Sequence, residues 1–337
     1  MSAAPKLKAP FPYFGGKSKI AAAVWERLGR PKQYVEPFCG SAAMLLAAPA
    51  PAALEVVGDL NCYVANFWRA VKFRPAAVAE WQDYPVSHID LAARHRWLVE
   101  PARVAALREA LSNPEWPGDA QIAGWWLWGQ CAWIGSGWCD GKSTGAAETH
   151  GKIPVIDTAG KGIQKIGLGQ IPHVGDAGRG TQADGQIPHV GNAGRGPQGV
   201  AAAPAAEWLG ALSTRLARVR LIHGSWDRCV NTHYGDMNGG AAIFFDPPYK
   251  AFESLYSDGR GVAYEVEAWC RDNVRGRLRV ALCGHVGDYD LPGWMVMPWS
   301  RGRLTYGSGK TTDAEAIWFS PACLNPTQRD LFSGAAP

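Results

Sequence analysis

Apolar residues fall into two rhythms along this chain. Mostly apolar runs recur at Tyr34-Val35, Leu54-Glu55-Val56-Val57-Gly58, Val219-Arg220-Leu221-Ile222, Ala242-Ile243-Phe244-Phe245, Leu278 to Cys283 and Ala314-Glu315-Ala316-Ile317-Trp318-Phe319. Runs of this length with β-branched and aromatic content read as buried strands. Between them lie stretches of helical spacing: Ser18 to Leu28, closed by Gly29 and Pro31, then Ala42 to Ala48, ended by Pro49, then Pro204 to Arg218 and Val262 to Arg275. From about Cys62 to Trp133 the pattern is mainly helical, broken at Pro75, Pro85, Pro101 and Pro117. Strands alternating with helices on either side of such a block predict an α/β domain carrying an inserted lobe. The expected bounds are 1–72 and 200–322 for the discontinuous α/β domain, 73–199 for the insertion and 323–337 for a flexible tail.

Composition changes inside the insertion. Tryptophans crowd between Trp116 and Trp138, and at helical spacing such rings are expected to form core. Residues 151–199 then become rich in Gly and poor in large apolar side chains. Gly169-Gln170-Ile171-Pro172-His173-Val174-Gly175-Asp176-Ala177-Gly178-Arg179-Gly180 recurs from Gly185 to Gly196, delivering His173, Arg179, His189 and Arg195 on glycine-rich backbone. Arginines on such loops can reach phosphates or guanine edges, so these four are candidate nucleic-acid contacts. The net charge of +4 is compatible with a polyanionic partner. Eight cysteines are scattered without a C-x-x-C pair or nearby histidines, which predicts neither a metal site nor a disulfide frame. With no long apolar stretch and no signal-like N-terminus, a soluble cytoplasmic protein away from membranes is expected.

The chemistry concentrates at Asp246-Pro247-Pro248-Tyr249, directly after the run ending at Phe245. A strand there delivers a carboxylate to the carboxyl edge of a sheet, where open α/β folds bind ligands. Each proline fixes φ and removes an N–H, so the turn is a stiff acceptor clamp. An aspartate oxygen and the Pro247 carbonyl suit an amino group with two hydrogens, such as the exocyclic amine of adenine or cytosine. Tyr249 supplies a flat face for a base. Upstream, Tyr34 to Ser41 runs from strand through small residues into a helix, and a second strand ends in Asp59-Leu60-Asn61. Together these form half of a nucleotide-binding unit with an acid placed to grip a ribose hydroxyl.

Pro10 to Lys17, Tyr34 to Ser41, Asp59 to Asn61 and Phe245 to Tyr249, in this order and supported by Val280 to Gly284 and Glu315 to Phe319, resemble the Dam-type (D12 class, α-group) DNA adenine-N6 methyltransferases, most closely the phage and prophage versions. The resemblance implies an S-adenosylmethionine (SAM)-dependent methyltransferase fold, Rossmann-like, with a mostly parallel seven-stranded sheet, one antiparallel strand and a target-recognition lobe. It implies site-specific methyl transfer to adenine N6 of a flipped base in double-stranded DNA, as in restriction-modification or phage systems. Carried over by motif, Tyr13, Gly15, Gly16, Lys17, Glu36, Phe38, Gly40, Asp59, Asn61, Trp226 and Asp246 are cofactor-binding candidates. Asp246, Pro247, Pro248 and Tyr249 are the catalytic ones. The family's cofactor turn usually ends in glycine where this chain has Ala42, a mild change at a first helical turn unless a left-handed conformation is needed. Cytosine N4 on the same fold, or an inactive DNA-binding relative, are the alternatives. In the tail, Gln328 to Phe332 resembles the pentapeptide by which replication proteins dock on the bacterial sliding clamp.

Overall fold

The computed structural model describes residues 7–13, 17–133, 138–139, 202–230, 240–250, 261–299 and 315–324. In chain order these form α1 (Ala21–Leu28), β1 (Gln33–Glu36), α2 (Ala43–Leu46), β2 (Leu54–Asp59), α3 (Cys62–Phe73), α4 (Pro75–Gln82), α5 (His88–Leu98), α6 (Pro101–Ala110), α7 (Ala120–Ala132), α8 (Ala202–Leu216), β3 (Val219–His223), β4 (Ala241–Phe245), α9 (Val262–Asn273), β5 (Arg279–His285), β6 (Met295–Trp299) and β7 (Glu315–Phe319). Two compact units result: among described residues, 17–60 and 218–324 make the first, and 7–13 and 61–217 the second.

The first unit is built on one seven-stranded sheet of order β3-β2-β1-β4-β5-β7-β6. All pairings are parallel except those of β7, which runs antiparallel to both β5 and β6. This is the mostly parallel α/β sheet with one reversed strand that the resemblance implied. The central strands are buried along their length: every residue of β1 and β4 is below a tenth exposed. That explains why β4 is a continuous apolar run rather than an alternating one, while the buried Glu36 that ends β1 is held by Tyr34 and Leu45. One core face joins Val35, Ile243, Phe245, Val280, Leu282 and Trp318 to Val266 and Cys270 of α9. Helix α1 ends where Gly29 turns to φ 63° and donates to the Trp25 carbonyl, the glycine stop that its sequence predicts. Strand β6 was not anticipated. Its Pro298 argues against a strand interior, but β6 pairs only with β7 at the sheet edge, where a missing N–H is tolerated.

The second unit is helical. Asn61 and Asp119 cap α3 and α7 by accepting the N–H of Tyr63 and of Ile122, and Pro75 and Pro101 open α4 and α6 in the first turn, where their lost donor costs nothing. The tryptophan run is core in part: Trp126, Trp128 and Trp138 are buried, while Trp116, Trp125 and Trp133 are half-buried. Phe11 sets its ring edge against Phe67 at 5.2 Å and Trp126 at 4.8 Å. The division falls at 60/61 and 217/218, whereas the sequence reading places it at 72/73 and 199/200. Helix α3 spends its apolar face on this aromatic cluster, and Ser213 of α8 donates to the Lys72 carbonyl at 2.7 Å. Both helices therefore belong with the helical unit.

Candidate active site

Strand order reverses between β1 and β4, because β1 continues to β2 on one side while β4 continues to β5 on the other. At such a switch point the connections leave in opposite directions and open a crevice at the carboxyl ends. Register sets Val35 beside Ile243, so the segments after Glu36 and after Phe245 emerge side by side. Asp246 follows β4 here. Its Oδ1 meets the Lys17 Nζ at 2.8 Å, and the same ammonium donates to the Tyr249 hydroxyl at 2.9 Å. Lys17 is 3% exposed, a burial that a cation tolerates only when paired. Burial alone would lower its pKa; the charges of Asp246, Cys283 and Glu315 and the hydrogen bond the ammonium donates to Asp246 outweigh it and hold the ammonium above the ordinary lysine value.

A second carboxylate completes the cluster, and the sequence reading did not nominate it as a site residue. Glu315 opens β7 and is itself buried; its Oε2 lies 3.9 Å from the Lys17 Nζ and accepts from the Tyr249 hydroxyl at 3.3 Å. The signal available was a lone acid at the head of a wholly apolar strand, which must find a partner if buried. Tyr249 is 9% exposed, sets its ring edge-on to His285 of β5 at 4.8 Å and reaches Asp246 Oδ1 at 3.5 Å. Among the described residues both contacts of Asp246 fall on Oδ1, so Oδ2 keeps its acceptor capacity. Pro247 is buried and Pro248 half-buried. Lys250, next in the chain, is tied to Glu267 of α9 at 2.8 Å and to the Asp288 carbonyl, which anchors the clamp's far end.

The turn after β1 is sewn to the end of β2. Cys39 N–H donates to the Gly58 carbonyl at 2.9 Å, and Gly40, at φ 44°, donates its N–H to Asp59 Oδ2 at 2.9 Å. Glu36 is 2% exposed; its Oε2 accepts from Tyr34 and from the Leu45 N–H of α2, both at 3.0 Å, which favours a carboxylate at a helix start. Phe38 is half-buried with its ring 6.4 Å from Phe245. Ala42 sits in the left-handed region, φ 51° and ψ 32°, so the conformation a glycine would supply is kept here at some strain. The Cys39 thiol is pushed well above its ordinary value by burial first, then by Asp59 and Glu36, and a thiol held protonated is no nucleophile.

Of the remaining candidates, Trp226 lies in the core at 7% exposure, edge-on to Phe245 at 5.9 Å, with its Nε1 donating to Glu265 at 3.3 Å. Tyr13 and Asn61 belong to the helical unit, where Tyr13 packs against Phe11 at 5.8 Å and Asn61 caps α3. Gly15, Gly16, His173, Arg179, His189, Arg195 and the Gln328 to Phe332 tail lie outside the described residues. The sheet thus brings together Lys17, Asp246 and Tyr249 in one cluster, and sets Glu36, Gly40 and Asp59 at the same carboxyl edge.

Asp246 and the turn that Asp59 holds thus lie side by side at the switch point of this sheet. Residues 13–84 match the family model of the D12 class N6 adenine-specific DNA methyltransferases. No curated protein matches the chain. The matched segment contains Tyr13, Lys17, Glu36, Phe38, Gly40, Asp59 and Asn61, and supports adenine-N6 DNA methylation as the general activity and DNA as the substrate class. Enzymes of that family normally use SAM. The residues present fit such a group, which combines a cation with a ribose diol: Glu36, Asp59 and Asp246 follow or end three adjacent strands, and Gly40 lets backbone approach without a Cβ. Among the described residues no group of acidic, histidine or cysteine side chains could hold a metal, and no helix is long and apolar enough to cross a membrane.

Proposed function

We propose that this chain is a SAM-dependent DNA methyltransferase of the Dam-like kind, which methylates N6 of adenine at a specific site in double-stranded DNA. The observation that carries the reading is Asp246 at the carboxyl end of β4, 2.8 Å from the buried Lys17. The cofactor, when bound, supplies a methyl group on a positively charged sulfonium. Adenine's exocyclic amine is a poor nucleophile, because its lone pair is delocalised into the ring. Asp246 Oδ2 and the Pro247 carbonyl accept its two hydrogens, favour a tetrahedral nitrogen and stabilise the positive charge that develops on it. Lys17 pairs with Asp246 Oδ1, and as a carboxylate Asp246 is purely an acceptor. Tyr249 stacks on the base once it has left the duplex. Asp59 holds a ribose hydroxyl while fixing the Gly40 turn. The repeat arginines Arg179 and Arg195, with His173 and His189, contact DNA, and the Gln328 to Phe332 tail docks on a sliding clamp of the bacterial cytoplasm.

The test is purified protein with unmethylated DNA of mixed sequence and SAM, followed by nucleoside digestion and mass spectrometry. N6-methyladenine is the expected product, and Asp246→Ala should yield none while still binding DNA. N4-methylcytosine would overturn the adenine assignment, and full turnover by Asp246→Ala would overturn the clamp.

A further inference from the structure

The reaction just proposed uses Asp246, Pro247 and Tyr249, and leaves the buried carboxylate of Glu315 without a task. Tyr249 has one hydroxyl proton and two carboxylates within reach: Glu315 Oε2 at 3.3 Å and Asp246 Oδ1 at 3.5 Å. Its oxygen already accepts from Lys17 at 2.9 Å. The arrangement reads as a directed chain, in which the Lys17 ammonium donates to the Tyr249 oxygen and the Tyr249 hydroxyl donates to Glu315. The charges matter equally. Lys17 and Asp246 are opposite charges, and Glu315 adds a second negative one beside an amine that becomes cationic during transfer.

We propose that Glu315 is a positioning residue of the clamp: it takes the Tyr249 hydroxyl proton as a hydrogen bond and shares the Lys17 charge, so that Asp246 keeps its acceptor capacity and its negative field for the substrate amine. This rests on the methyltransferase reading of the same site. Without Glu315 the phenol is freed to donate to Asp246 Oδ1, 3.5 Å away, and the ammonium loses one of its negative neighbours. Both changes weaken the hydrogen bonds that the amine needs as it becomes tetrahedral, and neither touches the turn at Gly40 and Asp59. The effect therefore belongs in kcat rather than in cofactor affinity.

Among the described residues, the groups that face the Lys17 ammonium include Asp246 and Tyr249 after β4, Cys283 on β5, Glu315 on β7 and the Trp299 ring of β6. Loss of one negative neighbour must lower the pH at which Lys17 gives up its proton, and that gives a readout independent of turnover. The experiment compares wild type, Glu315→Gln, Glu315→Asp, Tyr249→Phe and the Glu315→Gln/Tyr249→Phe pair. It measures single-turnover methylation of mixed unmethylated DNA, the Kd for SAM by calorimetry, and the Lys17 titration by NMR of protein labelled at the lysine ε-carbon. Glu315→Gln should lower the rate about tenfold or more, leave the SAM Kd within about twofold, and bring the Lys17 titration to lower pH. Glu315→Asp, which keeps the charge, should recover most of the rate. The Glu315→Gln loss should also be smaller on the Tyr249→Phe background, because no phenol proton is left to redirect. An unshifted Lys17 titration, or a rate loss as large on the Tyr249→Phe background as in wild type, overturns the role of Glu315. A wild type that methylates no base overturns the methyltransferase reading instead, and the Lys17 titration still decides the electrostatic part.

Discussion

Replacing Lys17 with methionine isolates the electrostatics of the site from its shape, because the two stems are similar in length and only the charge is removed. In the native cluster the ammonium stands 2.8 Å from Asp246 and 3.9 Å from Glu315. At an effective dielectric of about 20, Coulomb attraction at these separations is about 4–6 kcal/mol per contact. Desolvation of the buried charges offsets several kcal/mol of this, and removing one partner of a buried pair costs about 3–5 kcal/mol because the other is left uncompensated. With 3% exposure of Lys17, solvent screening reduces that little. At a urea slope of about 2–3 kcal/mol per M, the unfolding midpoint of the sheet unit should fall by about 1–2 M. The pH dependence carries the sign. Lys17 has its folded pKa raised above the ordinary lysine value of 10.5, so its stabilising contribution is fully present below the unfolded value and is lost only as pH rises through the folded one. Wild type should show no loss from this group between about pH 6 and pH 9. In Lys17→Met two carboxylates face each other, and protonating one relieves them, so the penalty should be larger at about pH 8 than at about pH 5. Urea titrations of both proteins, followed by tryptophan fluorescence at the two pH values, measure this. An unchanged midpoint at the higher pH, or a penalty that grows as pH falls, would refute the ion-pair argument.

Two stability predictions concern the turn after β1 and the strand β2 beside it. Ala42→Gly removes the left-handed strain at φ 51° and should stabilise the native state by up to about 1 kcal/mol, with the gain partly offset by added freedom of the unfolded chain; a loss of stability on thermal unfolding would mean that the alanine methyl packs usefully. Gly58→Ala would set a Cβ 2.3 Å from the Cys229 sulfur, an overpacking expected to cost about 1–3 kcal/mol. Cys229→Ala in the same chain should recover most of it, and a double variant as unstable as the single one would show that the backbone, not the thiol, is limiting.

How much was legible beforehand differs between elements for physical reasons. Strand β4 announces itself because a strand buried on both faces tends to be apolar throughout, β1, β2 and β5 because their central residues are, and α1 ends at the glycine its pattern requires. Strand β6 did not, since Pro298 is acceptable only at an edge, and edge position is a property of the assembled sheet. The clamp Asp246 to Tyr249, with Lys17 and Asp59, could be named because their chemistry resides in residue type and short-range order. Glu315 could not be placed: it is 66 residues from Tyr249 and 298 from Lys17 in the chain (315 − 249 and 315 − 17), and no local rule connects them. The antiparallel β7 brings it there by pairing His285 with Glu315, which also sets Tyr249 against His285. The packing of the Trp226 indole, buried and edge-on to Phe245, is likewise set by strand order and not by its neighbours in sequence. Local apolar pattern, turn chemistry and the acceptor character of the clamp belong to the sequence alone, because each depends on neighbours within a few residues. The charge balance around Lys17, the direction of the Tyr249 hydroxyl and the strain at Ala42 were decided only by tertiary structure, because they depend on close approach between segments that only strand order brings together.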